Sequence, residues 1–159
     1  MKNLVRVLNH PALWAAILAV AIPLITNFEG MALRPYRDVV GVPTVCVGAT
    51  AADGVDLHRS YTKAECEAML AADLPKYEEQ VEKCVVVPMP PHRHAAILSF
   101  TYNVGGSALC RSSVARYLNA GNVTAGCNAL LEYDHAGGRV IKGLTTRRIK
   151  ERQLCLMED

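Results

Sequence analysis

Ala12 to Ile25, ALWAAILAVAIPLI, is a run of 14 residues without one strongly polar side chain. A segment this apolar has to be covered, by protein or by lipid, and that demand restricts the chain more than any other feature. As a helix the run rises roughly 21 Å, against a bilayer core of about 30 Å. Five of its 14 residues are Ala and Pro23 stands near its end, so its hold on lipid is weak. Lys2 and Arg6 precede it, which is the layout of an export signal. Three readings stay open. The run is a buried core helix, or a signal peptide cleaved after Ala19-Val20-Ala21, or an uncleaved anchor that exports the chain and later leaves the membrane. The anchor reading is favoured, because the short run leads directly into the residues that carry chemistry.

The remainder reads as one α+β domain. With 159 residues, 51% hydrophobic and 20% charged, the chain can bury a core. Setting Lys2 and Arg6 aside leaves 15 basic against 15 acidic side chains, a balance that excludes a general nucleic-acid binder. Residues 33–58 mix Pro35, Gly41, Pro43, Gly48 and Gly54 with β-branched residues, and predict short strands and turns. Thr62-Lys63-Ala64-Glu65 is a capping box opening a helix to about Glu82. Further helices are expected over 91–103, 112–119, 123–133 and 145–157, after a break at Pro88, Pro90 and Pro91. Six cysteines, with no CxxC pair, do not match a zinc site. In an exported chain they form up to three disulfides, with fifteen connectivities open.

Glu29 closes the helical entry, Asp38 follows nine residues later and Thr44 six after that. Cleavage of a glycosidic bond needs an acid to protonate the leaving oxygen and a second group to position or activate water. A helix-end glutamate and a carboxylate on a nearby hairpin can supply both. Shelter by Phe28 would favour the protonated glutamate that such an acid requires. Spacing alone is equally satisfied by a solvated helix-end acid, a turn aspartate and a strand threonine.

More than spacing is present. Glu29-Gly30, Tyr36, Asp38 and Thr44, then Ser99-Phe100-Thr101-Tyr102-Asn103-Val104-Gly105, Ala136-Gly137-Gly138, Gly143-Leu144-Thr145-Thr146-Arg147-Arg148 and Glu151 together resemble the T4-type phage lysozymes, glycoside hydrolase family 24. The likeness covers about residues 28–156 and is strongest to lambdoid-phage endolysins that carry a signal-arrest-release segment. It implies a lysozyme-like fold, with a small N-terminal β-hairpin sheet and a helical body. Residues 1–27 would be the weak transmembrane segment and 28–159 the catalytic domain. It further implies an endolysin that hydrolyses the β-1,4 bond between N-acetylmuramic acid and N-acetylglucosamine during host lysis, by an inverting route and without a cofactor or metal. Glu29 would be the general acid, with Asp38 and Thr44 orienting or activating water. The expected partners are peptidoglycan and, through residues 12–25, the host inner membrane. The chain would face the periplasm and then be released into it as a monomer. A lytic transglycosylase is the alternative enzyme, disfavoured because it has no use for the Asp38–Thr44 pair. A non-catalytic, membrane-tethered wall binder is the alternative outside catalysis.

The resemblance has departures. Val47 and Ala49 stand where relatives carry histidines, and Tyr133 where they carry tryptophan. Cys46, Cys66, Cys127 and Cys155 match cysteines of relatives, and Cys84 with Cys110 looks like an added pair. The pairings Cys46–Cys66, Cys84–Cys110 and Cys127–Cys155 are expected on that basis. The anchor holds no Cys, so control by thiol exchange with a catalytic cysteine is excluded and control must be topological. Arg139, Lys142, Arg147, Arg148, Lys150 and Arg152 read as a solvated basic face, in preference to a contact for anionic wall polymer. Arg147 and Arg148 are expected to be mainly structural. His92 and His94 read as surface residues.

Overall fold

The computed structural model describes residues 6–158; Lys2 lies outside the described residues. The described chain carries seven α-helices and two small antiparallel hairpins, an α+β architecture. Helix α1, Pro11–Glu29, starts on a proline, whose missing N–H costs nothing at a helix start. It runs through Pro23 without ending there. Only Ile17, Ala21 and Ile25, four residues apart, are fully buried, while Ala12, Ala15, Ala16, Ala19 and Pro23 are exposed. With 17% of its apolar window buried, α1 lacks the cover of a core helix.

The chain divides into two compact units, and α1 and the long helix α2 each contribute to both. Residues 22–74 make the first. Strands β1, Ala32–Arg37, and β2, Pro43–Cys46, pair antiparallel, with Tyr36 opposite Thr44 and Arg37 opposite Pro43. The register is irregular between Ala32 and Tyr36. Beyond β2 the chain folds back on itself, since Val45 and Ala49 exchange backbone hydrogen bonds of 2.8 and 2.9 Å. Cys46 takes the left-handed conformation in that turn (φ 59°), unusual for a side chain with a Cβ. Its disulfide to Cys66 ties the turn to the first part of α2, Lys63–Cys84. Val45, Cys46, Tyr61 and Cys66 form a small core on which Met31, Ala49, Val55, Leu57 and Met69 pack. The capping box closes reciprocally: Glu65 N–H donates to Thr62 Oγ1 at 3.1 Å and Thr62 N–H to Glu65 Oε2 at 2.7 Å. That backbone bond, more than the neighbouring Arg59, holds the Glu65 carboxyl below its ordinary range.

The second unit is helical. Pro91 opens α3, Pro91–Val104, whose residues 94–101 are all buried. It is followed by α4, Gly106–Arg111, α5, Ser113–Asn119, α6, Val123–Ala129, and α7, Lys142–Leu156, of which α4 and α7 pack on α3 and α5 packs on α6. The side chains of Ser112 and Asn122 cap α5 and α6, each accepting a backbone N–H at 3.1 Å. The helix expected over 123–133 stops at Ala129 and gives way to a 3-10 turn, Leu130–Glu132. A two-residue hairpin, β3 His135–Ala136 and β4 Arg139–Val140, then turns the chain into α7. Disulfides Cys84–Cys110 and Cys127–Cys155 close this unit.

Two surface assignments are corrected here. Arg147, Arg148 and Glu151 are buried, so this part of α7 is not a solvated face. Glu151 accepts from Arg147 Nε at 3.0 Å, Ser99 Oγ at 2.8 Å and Arg148 Nη1. Arg148 also donates to Asn103 and, at 2.9 Å, to the Tyr133 carbonyl, and stacks 4.9 Å over the Phe100 ring. These bonds join α3, α7 and the chain at Tyr133, just past the 3-10 turn, and they spare the buried charges from standing unpaired. Arg139, Lys142 and Lys150 are exposed. His94 is also buried, its Nε2 lying 2.7 Å from Glu78 Oε1, while His92 is half-buried against the Met157 carbonyl. Burial pushes the Glu78 carboxyl up, although His94 opposes the shift.

Candidate active site

Glu29, Asp38 and Thr44 all fall in the unit of residues 22–74. Glu29 is the last residue of α1. Gly30 follows in the left-handed conformation (φ 78°), which lets the chain leave the helix and enter β1 two residues later. Glu29 is exposed and Phe28 half-buried.

Asp38 and Thr44 sit on the two sides of the β1–β2 turn and meet through Val42. Asp38 Oδ1 accepts the N–H groups of Val40 and Val42, each at 2.9 Å. Asp38 N–H donates to the Val42 carbonyl at 3.0 Å, and Thr44 Oγ1 donates to the same carbonyl at 2.9 Å. The aspartate thus fixes its own position by holding the turn it begins, a local bond pattern that Asp favours. Arg37 Nη1 adds a 2.8 Å bond to the Gly41 carbonyl. Thr44 is buried and Asp38 half-buried.

Chemically, one oxygen of Asp38 serves the turn, which leaves Oδ2 as an acceptor. The Thr44 hydroxyl spends its proton on Val42, so its lone pairs are also acceptors. Two acceptors on one rigid hairpin suit a water molecule that must donate both protons. Val42 and Arg37, which sequence reasoning passed over, hold this arrangement through backbone atoms and a local bond. The Asp-x-x-Gly spacing of a tight turn was the available signal. Ala49, in place of a histidine, packs on the small core, and the turn it closes is held by its two backbone bonds with Val45 and by the Cys46–Cys66 disulfide. Among the described residues, no cluster of three or more His, Cys, Asp or Glu is arranged to hold a metal ion.

The family model "Phage lysozyme" matches residues 26–151. The chain is 39% identical, over 91% of its length and 91% of the relative's, to the SAR-endolysin of Enterobacteria phage P21. In structure it is similar to a mutant of phage P22 lysozyme, with a TM-score of 0.79 and 33% identity over 86% of this chain and 95% of that one. It is also similar to the active form of the P1 phage endolysin Lyz, with a TM-score of 0.75 and 26% identity over 91% of this chain and 92% of that one. An N-terminal apolar helix, a hairpin carrying Asp38 and Thr44 and a helical body thus come together in a chain that belongs to the phage lysozyme family, an endolysin with the peptidoglycan-hydrolysing activity of host lysis.

Proposed function

We propose that Glu29 is the general acid and that Asp38 and Thr44 are the water-holding pair in hydrolysis of the β-1,4 bond between N-acetylmuramic acid and N-acetylglucosamine. The observation that carries this reading is the joint bracing of Asp38 and Thr44 on the Val42 carbonyl, which leaves an acceptor oxygen on each. Protonated Glu29 gives its proton to the glycosidic oxygen as the bond to the anomeric carbon breaks. A water donating to Asp38 Oδ2 and Thr44 Oγ1 has its lone pair free for that carbon. Asp38 takes the water proton as the new C–O bond forms. Attack opposite the leaving group inverts the anomeric centre, a route that needs the two carboxylates about 6.5–9.5 Å apart. Product analysis tests the reaction class. Hydrolysis gives free reducing ends with water-derived oxygen, whereas 1,6-anhydro ends would show a lytic transglycosylase.

We further infer that residues 1–27 are a signal-arrest-release segment and that 28–159 form the catalytic domain. Arg6, with Lys2, keeps the N-terminus cytoplasmic, so the body faces the periplasm. A 19-residue helix rises about 28 Å, close to the bilayer core. Its composition suits two environments. The buried stripe of Ile17, Ala21 and Ile25 packs the released helix onto the body, and four of the helix's eight exposed positions are alanine, which water tolerates. While the segment spans the membrane, Glu29 is four residues from the end of the apolar run, about 6 Å, and stays at the lipid surface. Release frees it to act on the wall as a monomer. Fractionation before and after membrane depolarisation tests the proposal. A mature N-terminus at Ile22 would replace it with a cleaved signal peptide.

A further inference from the structure

The turn Asp38–Gly41 is closed by Gly41 N–H donating to the Asp38 carbonyl at 2.9 Å, with Val39 and Val40 at its centre. Asn, Asp, Gly, Pro and Ser are the residues that favour such positions, and valine is not. Both valines point into solvent, at 105% and 79% relative exposure, and Val42 beside them is exposed too. One exposed valine needs no explanation, but three within four residues on a protruding tip do. Arg34, Tyr36 and Arg37 on the adjoining strand are exposed as well. Asp38 turns one carboxylate oxygen onto the N–H groups of this same turn, so its charge is partly spent inside the loop.

Aliphatic side chains at a tip, a tyrosine behind them and two arginines at the flank are the composition of a surface that enters an anionic lipid interface. Valine offers a glycan strand no hydrogen bond, so the wall polymer is the poorer fit. The chain also leaves little choice of position. The apolar run ends at Ile25 and β1 begins at Ala32, so an inserted α1 holds the hairpin within a few residues of the bilayer.

We propose that the β1–β2 tip docks on the anionic outer face of the inner membrane through Val39, Val40 and Val42, with Arg34 and Arg37 meeting lipid phosphates. This rests on the arrest reading of residues 1–27 and adds a second hold to it. The turn that docks is the turn that Asp38 braces, so a docked tip keeps the water-holding carboxylate at the lipid and away from the wall. Release of α1 then has to be followed by release of the tip.

The full-length chain carrying Trp14→Phe and Val39→Trp has its one tryptophan at the tip. In vesicles of phosphatidylethanolamine and phosphatidylglycerol, its emission is expected to shift to the blue and to be quenched by lipids brominated on their acyl chains. Arg34→Gln in that background lowers the docking equilibrium about fivefold, and Val40→Asn removes the quenching, while both chains still sediment with the vesicles. Val40→Trp with Trp14→Phe serves as a second probe if the first variant does not fold. A solvent-like emission in a chain that sediments with vesicles overturns the tip proposal and leaves the anchor standing. If the chain does not insert, the arrest reading fails and the soluble chain is titrated with the same vesicles. A blue shift there supports the tip and its absence overturns it. A response to isolated sacculi but not to vesicles assigns the tip to the wall, and one that grows with protein concentration assigns it to a second copy. Either overturns lipid docking.

Discussion

Replacing Ala15, Ala16 and Ala19 together with leucine should lock the chain in the membrane. Each change adds three carbons, about 2.4 kcal/mol in lipid at ~0.8 kcal/mol per buried CH2, and the triple change about 7 kcal/mol. In the described fold all three positions are exposed, so the folded, released state gains none of this. The whole increment favours insertion. About 5.5 kcal/mol suffices to move a two-state equilibrium from 1:99 to 99:1, so the triple variant should abolish release on any useful timescale. Membrane and soluble fractions are compared before and after collapse of the membrane potential, alongside the onset of lysis. Detergent-freed variant should cleave purified peptidoglycan at close to the parent rate, because no buried contact of α1 has been touched. Release of the variant as fast as the parent, or loss of activity after detergent treatment, would refute the argument that the alanine positions serve escape and not packing.

Other expectations follow from particular side chains. Thr44→Ser keeps the hydroxyl and should leave the turnover rate within severalfold of the parent. Thr44→Val removes an acceptor and should lower it about tenfold or more, with KM little changed. Reduction of the disulfides should lower stability by roughly 2–5 kcal/mol for each pair broken, read from thermal melts with free thiols counted; equal melting temperatures would contradict this. Burial raises Glu78 above its ordinary value of 4.5, so the folded chain binds that proton more tightly than the unfolded chain. Its contribution to stability is complete below that value and falls as pH rises through the folded one. The stability advantage of the parent over Glu78→Gln should therefore shrink as pH rises above 4.5, in urea melts across the acid range.

Local signals are legible in the sequence. The start of α2 lies in four residues, Thr62 to Glu65, and the start of α3 in Pro91. The apolar helix is a single run. What escaped depends on distant partners. Glycines 105 and 106 look like a helix break, yet α4 begins at Gly106, where a Cβ would lie 1.3 Å from Gln80 Oε1. Packing against α2 asks for a glycine there, and no local pattern says so. His94 reads as a surface residue until Glu78, sixteen residues away, is brought to it. Arg148 reads as part of a basic face until Asn103 and Glu151 enclose it. At the site, the Asp38 turn was legible in outline, while the Val42 carbonyl joining Asp38 to Thr44 is a backbone atom and leaves no trace in residue type.

In the proposed reaction Glu29 supplies the proton on which glycosidic cleavage depends. Glu29→Gln keeps the size and hydrogen-bonding shape of the side chain and removes its acid. The most direct measurement is the rate at which the purified, folded variant releases soluble fragments from isolated peptidoglycan, beside the parent chain at the same concentration. The expected result is a loss of at least about a hundredfold, the lower end for general acid catalysis, with the circular dichroism spectrum and melting temperature unchanged. A folded variant that works at close to the parent rate would contradict it.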